Sequence, residues 1–144
     1  MAIKQISVFL ENKPGMLDAM TKVLADAGIT LRAMSLAETK DFGIVRMIVD
    51  DVFDTATVLK DHDYISTMTS VVAVMIPDVV GGLNRVLTTL TKEQVNLEYM
   101  YSTLAGNASG NAYMILRVED VGKAESALKA AGFVLADQSR MSEM

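Results

Sequence analysis

An α+β fold of two tandem βαββαβ units, each a ferredoxin-like antiparallel sheet with two helices on one face, is what this 144-residue sequence predicts. Three observations carry the prediction. The chain repeats itself along its length, each copy alternates strand-like and helix-like hydrophobic patterns in one order, and no Ser- or Gly-rich linker interrupts it.

The repeat is read by setting Leu10-Glu11-Asn12-Lys13-Pro14-Gly15-Met16-Leu17 beside Ile76-Pro77-Asp78-Val79-Val80-Gly81-Gly82-Leu83, 66 positions on. The same offset pairs Leu24 with Leu90, Ile29 with Val95, Leu31 with Leu97 and Met34 with Met100. Further along, Arg46–Asp51 aligns with Ile115–Asp120 at an offset of 69, so the second copy carries about three extra residues, assigned to Gly106–Gly110. The units are therefore expected at 1–70 and 71–144. At about 70 residues each is marginal alone, and Ser70 runs into Val71 without a linker.

Element by element, Ile6, Val8 and Leu10 alternate as one face of a first strand. Pro14 suits a helix start, where its missing N–H costs nothing. Leu17, Met20, Leu24 and Ala27 form a helical stripe that Gly28 ends. Residues 29–37 and 43–50 read as strands joined across Lys40-Asp41-Phe42-Gly43. Val52, Ala56 and Leu59 mark a second helix, and residues 64–70 a short last strand. In the second copy Leu83, Val86, Leu87 and Leu90 make the first stripe, and Val121, Ala124, Leu128 and Ala131 the second, with Gly132 as its cap. Several strands are apolar on both faces, so the face without helices is expected to be covered by the sister unit or another chain.

Composition narrows the function. Hydrophobic residues make up 51% and charged residues 22%, which calls for a packed core. A net charge of −5 with 13 scattered basic residues does not suit nucleic acid, and no apolar run reaches membrane-spanning length. With no secretory signal at the start, a cytoplasmic protein is expected. Without Cys there is no disulfide, thiol nucleophile or Cys-based metal site. The single histidine, His62, sits in Asp61-His62-Asp63, which reads as a solvated helix end and not as a metal site. No Gly-rich phosphate loop and no triad is present, so neither cofactor nor metal is expected. Asp50-Asp51 and Glu119-Asp120 precede helices at matched positions, where acids stabilise the N-terminus. Asn107-Ala108-Ser109 reads as a polar turn.

The remaining chemistry lies at the two strand-to-helix turns, Asn12–Gly15 and Asp78–Gly82. Free backbone N–H groups and a positive helix end suit a carboxylate there, and glycine lets a ligand approach the main chain. The side-chain oxygens of Asn12 and Asp78 suit an ammonium group. Together these are the needs of an α-amino acid. The same residues also serve as plain tight turns and helix caps.

The string Ile6-Ser-Val-Phe-Leu-Glu-Asn-Lys-Pro-Gly-Met-Leu17, followed by Ala25-Asp-Ala-Gly-Ile-Thr-Leu-Arg-Ala-Met34, resembles the ACT domains, in particular the start of the acetolactate synthase regulatory subunit. Gly81-Gly-Leu83 and Val95-Asn-Leu-Glu-Tyr-Met-Tyr101 resemble a second such unit. The resemblance implies pairing of units edge to edge and amino-acid binding through the first turn and an Asn early in the second strand. It places these contacts on Asn12, Lys13, Pro14, Gly15 and Met16, on Asp78, Gly81 and Gly82, and on Asn96, whose counterpart in the first copy is Thr30. If each unit's turn faces the other unit's second strand, two unequal sites result. Asn12 and Gly15 with Asn96 keep the family's polar set, whereas Asp78 and Gly81 with Thr30 depart from it. Tyr99 and Tyr101 have no aromatic counterparts in the first copy; Tyr101 is a candidate pocket wall, and Tyr99 a core residue.

The sequence thus predicts a non-catalytic amino-acid-binding regulator, a homodimer, with a free amino acid as ligand and an amino-acid metabolic enzyme as candidate partner. A structural dimerisation module and a regulatory subunit of a biosynthetic enzyme are the alternatives. Acylphosphatase-type hydrolysis on this fold wants an Arg where Lys13 stands, and RNA binding wants more exposed aromatics than Phe9 and Tyr113.

Overall fold

The computed structural model describes residues 2–104 and 112–143, so the Gly106–Gly110 insertion and the Asn107 turn lie outside the described residues. The chain divides into two compact units, Lys4–Thr69 and Ser70–Met144, the latter joined by Met1–Ile3.

The first unit contains β1 (Ile3–Glu11), α1 (Met16–Asp26), β2 (Leu31–Glu38), β3 (Phe42–Val49), α2 (Val52–Asp61) and the start of β4 (Ile65–Ile76). Its strands lie in the order β2-β3-β1-β4. β1 and β3 pair antiparallel with Ile6 opposite Met47 and Glu11 opposite Phe42; β2 and β3 pair with Met34 opposite Met47 and Glu38 opposite Gly43. Ile6, Val8 and Leu10 alternate onto the helix-facing side, where they meet Val45, Met47, Met20, Leu24 and Leu59 in one core. Met20 and Leu59 are wholly buried, and each such side chain contributes about 1.5–3 kcal/mol.

The second unit runs from the later residues of β4 through α3 (Gly82–Lys92), β5 (Leu97–Ser102), β6 (Ala112–Val118), α4 (Val121–Ala130), β7 (Leu135–Ala136) and α5 (Gln138–Ser142). Its order, β7-β4-β6-β5, repeats the last-first-third-second pattern of the first unit. Val72, Val74, Val86, Leu90, Leu116, Val118, Ala124 and Leu128 form its core. The matched acids do what the sequence assigns them. Asp51 and Asp120 cap α2 and α4, accepting from the N–H of Asp54 and of Lys123, each at 3.0 Å. Asp50 is instead held by Arg32 at 2.7 Å. His62 ends α2 with its Nδ1 2.9 Å from the Val58 carbonyl. Gly28 and Gly132 take positive φ beyond α1 and α4.

Three expectations need correction. Pro14 does not begin a helix: α1 starts at Met16 behind Gly15, whose φ of 83° makes the left-handed turn into it. The last strand of the first copy does not stop at the unit boundary: nothing in Ile65–Ile76 breaks an extended chain, and it continues into the first strand of the second copy as one 12-residue β4. The last strand of the second copy shrinks to Leu135–Ala136, since Asp137 accepts from Arg140 N–H and starts α5, a helix the repeat does not foretell.

On the sheet faces away from the helices, Ala33 and Ile48 are buried, as are Tyr101, Tyr113 and Ile115. Gln5 and Ser7 are buried there too, joined by a 3.1 Å hydrogen bond from Gln5 Nε2 to Ser7 Oγ. Phe9 and Phe42 stay 42% and 57% exposed.

Candidate functional site

The two turns share one backbone design. Lys13 N–H donates to Glu11 O, Met16 N–H to Lys13 O and Ala19 N–H to Gly15 O. At matched positions Val79 N–H donates to Pro77 O, Gly82 N–H to Val79 O and Arg85 N–H to Gly81 O. Gly15 and Gly81 both take φ of 83°, a conformation costly for residues with a Cβ. Neither helix has a side-chain cap, so Asn12 and Asp78 are not the caps their residue types allow.

What differs is the residue that follows the glycine of each turn. In the first unit the turn opens on a cleft of about 370 Å³, lined by Leu10, Glu11, Asn12, Lys13, Met16, Leu17, Leu36, Glu38 and Gly43. That size falls in the lower part of the about 300–1,000 Å³ range of small-molecule sites. The antiparallel registers build it: Glu11 lies opposite Phe42 and Gly43 opposite Glu38, so the ends of β1 and β2 and the start of β3 meet at one edge. Asn12 ties the turn to the β2–β3 hairpin. Its N–H donates to Asp41 O at 3.0 Å, and its Nδ2 to Glu38 Oε2 and Thr39 O, both at 3.3 Å. The amides of Gly15, Leu17 and Asp18 have no acceptor among the described residues, and they sit at the positive end of α1.

Lys13 and Glu11 form an exposed ion pair at 2.7 Å. The hydrogen bond from Lys13, aided by its charge, holds the Glu11 carboxyl below the usual carboxylate range. The same bond raises Lys13 above the ordinary lysine value.

The second turn differs at its first helical residue. Gly82 occupies the place of Met16, and a Cβ there would lie 2.3 Å from Pro77 O. Pro77 O leaves no room for a side chain at this position, whereas Met16 lines the first cleft. Val79 and Val80 replace Lys13 and Pro14 and stand 62% and 105% exposed.

Of the residues expected from the sequence, Asn12, Lys13 and Met16 line the cleft, and Pro14 and Gly15 belong to the turn that forms its rim. Thr30 and Asn96 are exposed residues immediately before β2 and β5. Because β2 runs parallel to β1 across β3, Thr30 lies at the sheet end opposite its own unit's turn; Asn96 stands likewise to Asp78 and Gly81. Tyr101 is buried and stacks on Tyr99 with ring centroids 6.5 Å apart. Sequence reasoning missed Glu38, Leu36 and Gly43. The hairpin at Lys40–Gly43, read with antiparallel pairing to the first strand, carried the signal for all three.

Two tandem βαββαβ units, one with a cleft at its strand-to-helix turn, define the fold class. The model of the ACT domain pair matches residues 1–143, and the chain belongs to that family. It is 39% identical to protein BT0572 from Bacteroides thetaiotaomicron, with a TM-score of 0.92 and 100% of this chain and 98% of that one covered. The ligand-free regulatory subunit of aspartate kinase from Thermus thermophilus shares 14% identity over 89% of each chain, with a TM-score of 0.65. Its counterpart from Thermus flavus shares 12%, covering 89% of this chain and 91% of that one, with a TM-score of 0.59. Both have the same fold. No curated protein sequence matches. The acetolactate synthase likeness remains one of motif alone.

Among the described residues no helix is long and apolar enough to cross a membrane, and no cluster of three His, Cys, Asp or Glu could hold a metal.

Proposed function

We propose that this chain is a regulatory sensor that binds one free α-amino acid per chain in the first unit's cleft and catalyses nothing itself. The observation that carries the reading is the cleft of about 370 Å³ at the first turn beside the free amides of α1, where the matched position of the second turn has Gly82 in place of Met16. At the first turn the ligand's carboxylate is received by the free amides at the start of α1, where a helix end favours an anion. Asp78, Gly81 and the rest of the second turn form the weaker twin.

Asn96 and Thr30 stay in the proposal on the family likeness alone, Asn96 as a polar contact and Thr30 as its reduced counterpart. Tyr101 keeps a place only as a wall residue, since it is buried. The aspartate kinase regulatory subunits of the same fold support a regulatory role. An enzyme of amino-acid metabolism is the proposed partner, a homodimer the proposed assembly, 1–70 and 71–144 the working unit boundaries, and the cytoplasm the proposed compartment.

A thermal-shift screen against the twenty amino acids tests the reading. A ligand that binds only the native state raises the melting temperature, gaining about 2.7 kcal/mol at a hundredfold excess over Kd. A flat response at millimolar concentrations favours the structural module instead. Calorimetry giving two equal sites per chain would overturn the unequal pair.

A further inference from the structure

We infer that Glu38 is the ammonium receiver of the first cleft, and that the cleft selects α-amino acids with aliphatic or thioether side chains. The inference rests on the amino-acid reading above and goes beyond it by naming a residue and a ligand class. Two carboxylates line the cleft. Glu11 is committed to Lys13 at 2.7 Å. Glu38 has no cation within ion-pair distance among the described residues; its bond is the 3.3 Å contact from the neutral amide of Asn12.

An ammonium group carries three donors and makes a charge-assisted bond stronger than that amide contact. Asn12 also donates to Thr39 O, so it stays anchored to the hairpin when Glu38 turns to a ligand. Asn12 is thereby a positioning residue, set by its donor end, while Glu38 supplies the charge.

The rest of the wall fixes the side chain. Leu10, Met16, Leu17 and Leu36 line the same cleft, and each methylene buried against such a wall strengthens binding about fourfold. An acidic side chain would meet these apolar groups and two carboxylates, with Lys13 already engaged.

The test is calorimetry on the full chain, wild type and Glu38→Gln, with L-leucine, L-methionine, L-aspartate and 4-methylpentanoate, which is leucine's skeleton without the amine. Glu38 is exposed, so matching circular dichroism melts will show that the variant folds. Wild type is expected to bind L-leucine and L-methionine more tightly than L-aspartate. Glu38→Gln is expected to weaken L-leucine about tenfold and to leave 4-methylpentanoate unchanged. Equal losses for L-leucine and 4-methylpentanoate, or no loss for either, overturn the role of Glu38. Wild type that binds L-aspartate in preference to both apolar amino acids overturns the ligand class and leaves the amino-acid reading standing. Wild type that responds to none of the twenty amino acids removes both.

Discussion

Gly82→Ala is the substitution that most directly tests the close approach of Pro77 to the second turn. The new Cβ would sit 2.3 Å from Pro77 O, where real contacts essentially never fall under 3.0 Å. Relief takes a movement of about 0.7 Å, and the atom in the way is main chain, with no rotamer to yield. Pro77 O also accepts the 2.8 Å bond from Val79 N–H, so moving it strains the turn's own hydrogen bond. Overpacking of this kind costs about 1–3 kcal/mol, and a weakened hydrogen bond adds about 1 kcal/mol. Alanine's better helix propensity returns up to about 1 kcal/mol. The net expectation is a loss of about 2 kcal/mol, or roughly 4–10 °C in melting temperature for a chain of this size. Gly81→Ala is the control, because its added Cβ meets nothing within 4 Å and only its φ of 83° opposes the change. That strain costs about 1–2 kcal/mol, partly offset by the stiffer unfolded chain. Thermal and urea denaturation of the three proteins, with hydrogen exchange at α3, measures the difference. Gly82→Ala melting with wild type would refute the close approach of Pro77 O to Gly82.

Removing either matched cap, by Asp51→Ala or Asp120→Ala, should cost about 1 kcal/mol; a melting temperature unchanged in both would contradict the capping bonds. The Glu11–Lys13 pair has a defined pH signature. Its contribution is complete between the ordinary glutamate and lysine ranges, fades as pH falls through the lowered Glu11 value, and fades again as pH rises through the raised Lys13 value. Lys13→Ala should therefore move the Glu11 titration back up toward the ordinary range, followed by NMR; a midpoint that stays put rejects the pairing. Asn96→Ala should weaken amino-acid affinity about tenfold if the family likeness holds, the value of one good hydrogen bond to a charged ligand. Unaltered affinity would remove Asn96 from the site and leave the first cleft intact.

The fold was legible because duplication shows most elements twice. The paired glycines Gly15 and Gly81 recur at the offset of 66, and the matched caps Asp51 and Asp120 at the offset of 69, each beside its helix stripe. The ends of the repeat were harder to read. The uninterrupted β4 was hidden by dividing the chain where the repeat divides, although no turn residue stands between Ile65 and Ile76. α5 has no partner in the first copy to announce it.

The cleft was half legible. Asn12–Met16 is a local motif, so spacing alone points to it. Glu38 and Leu36 reach the same place through strand pairing, and only register brings them there. Even at Asn12 the residue type indicated a polar contact and not its direction, since the donor end of the amide engages the hairpin.

The inequality of the two turns, Met16 in one and Gly82 in the other, bears on how the chain would respond to rising ligand. Binding steepness cannot exceed the number of coupled sites. On the proposed reading of one strong site and a weaker twin, a solitary chain fills its strong site along a simple hyperbola. A sigmoidal dose–response from this protein would therefore report communication between separate chains, and it would disappear on dilution into monomers.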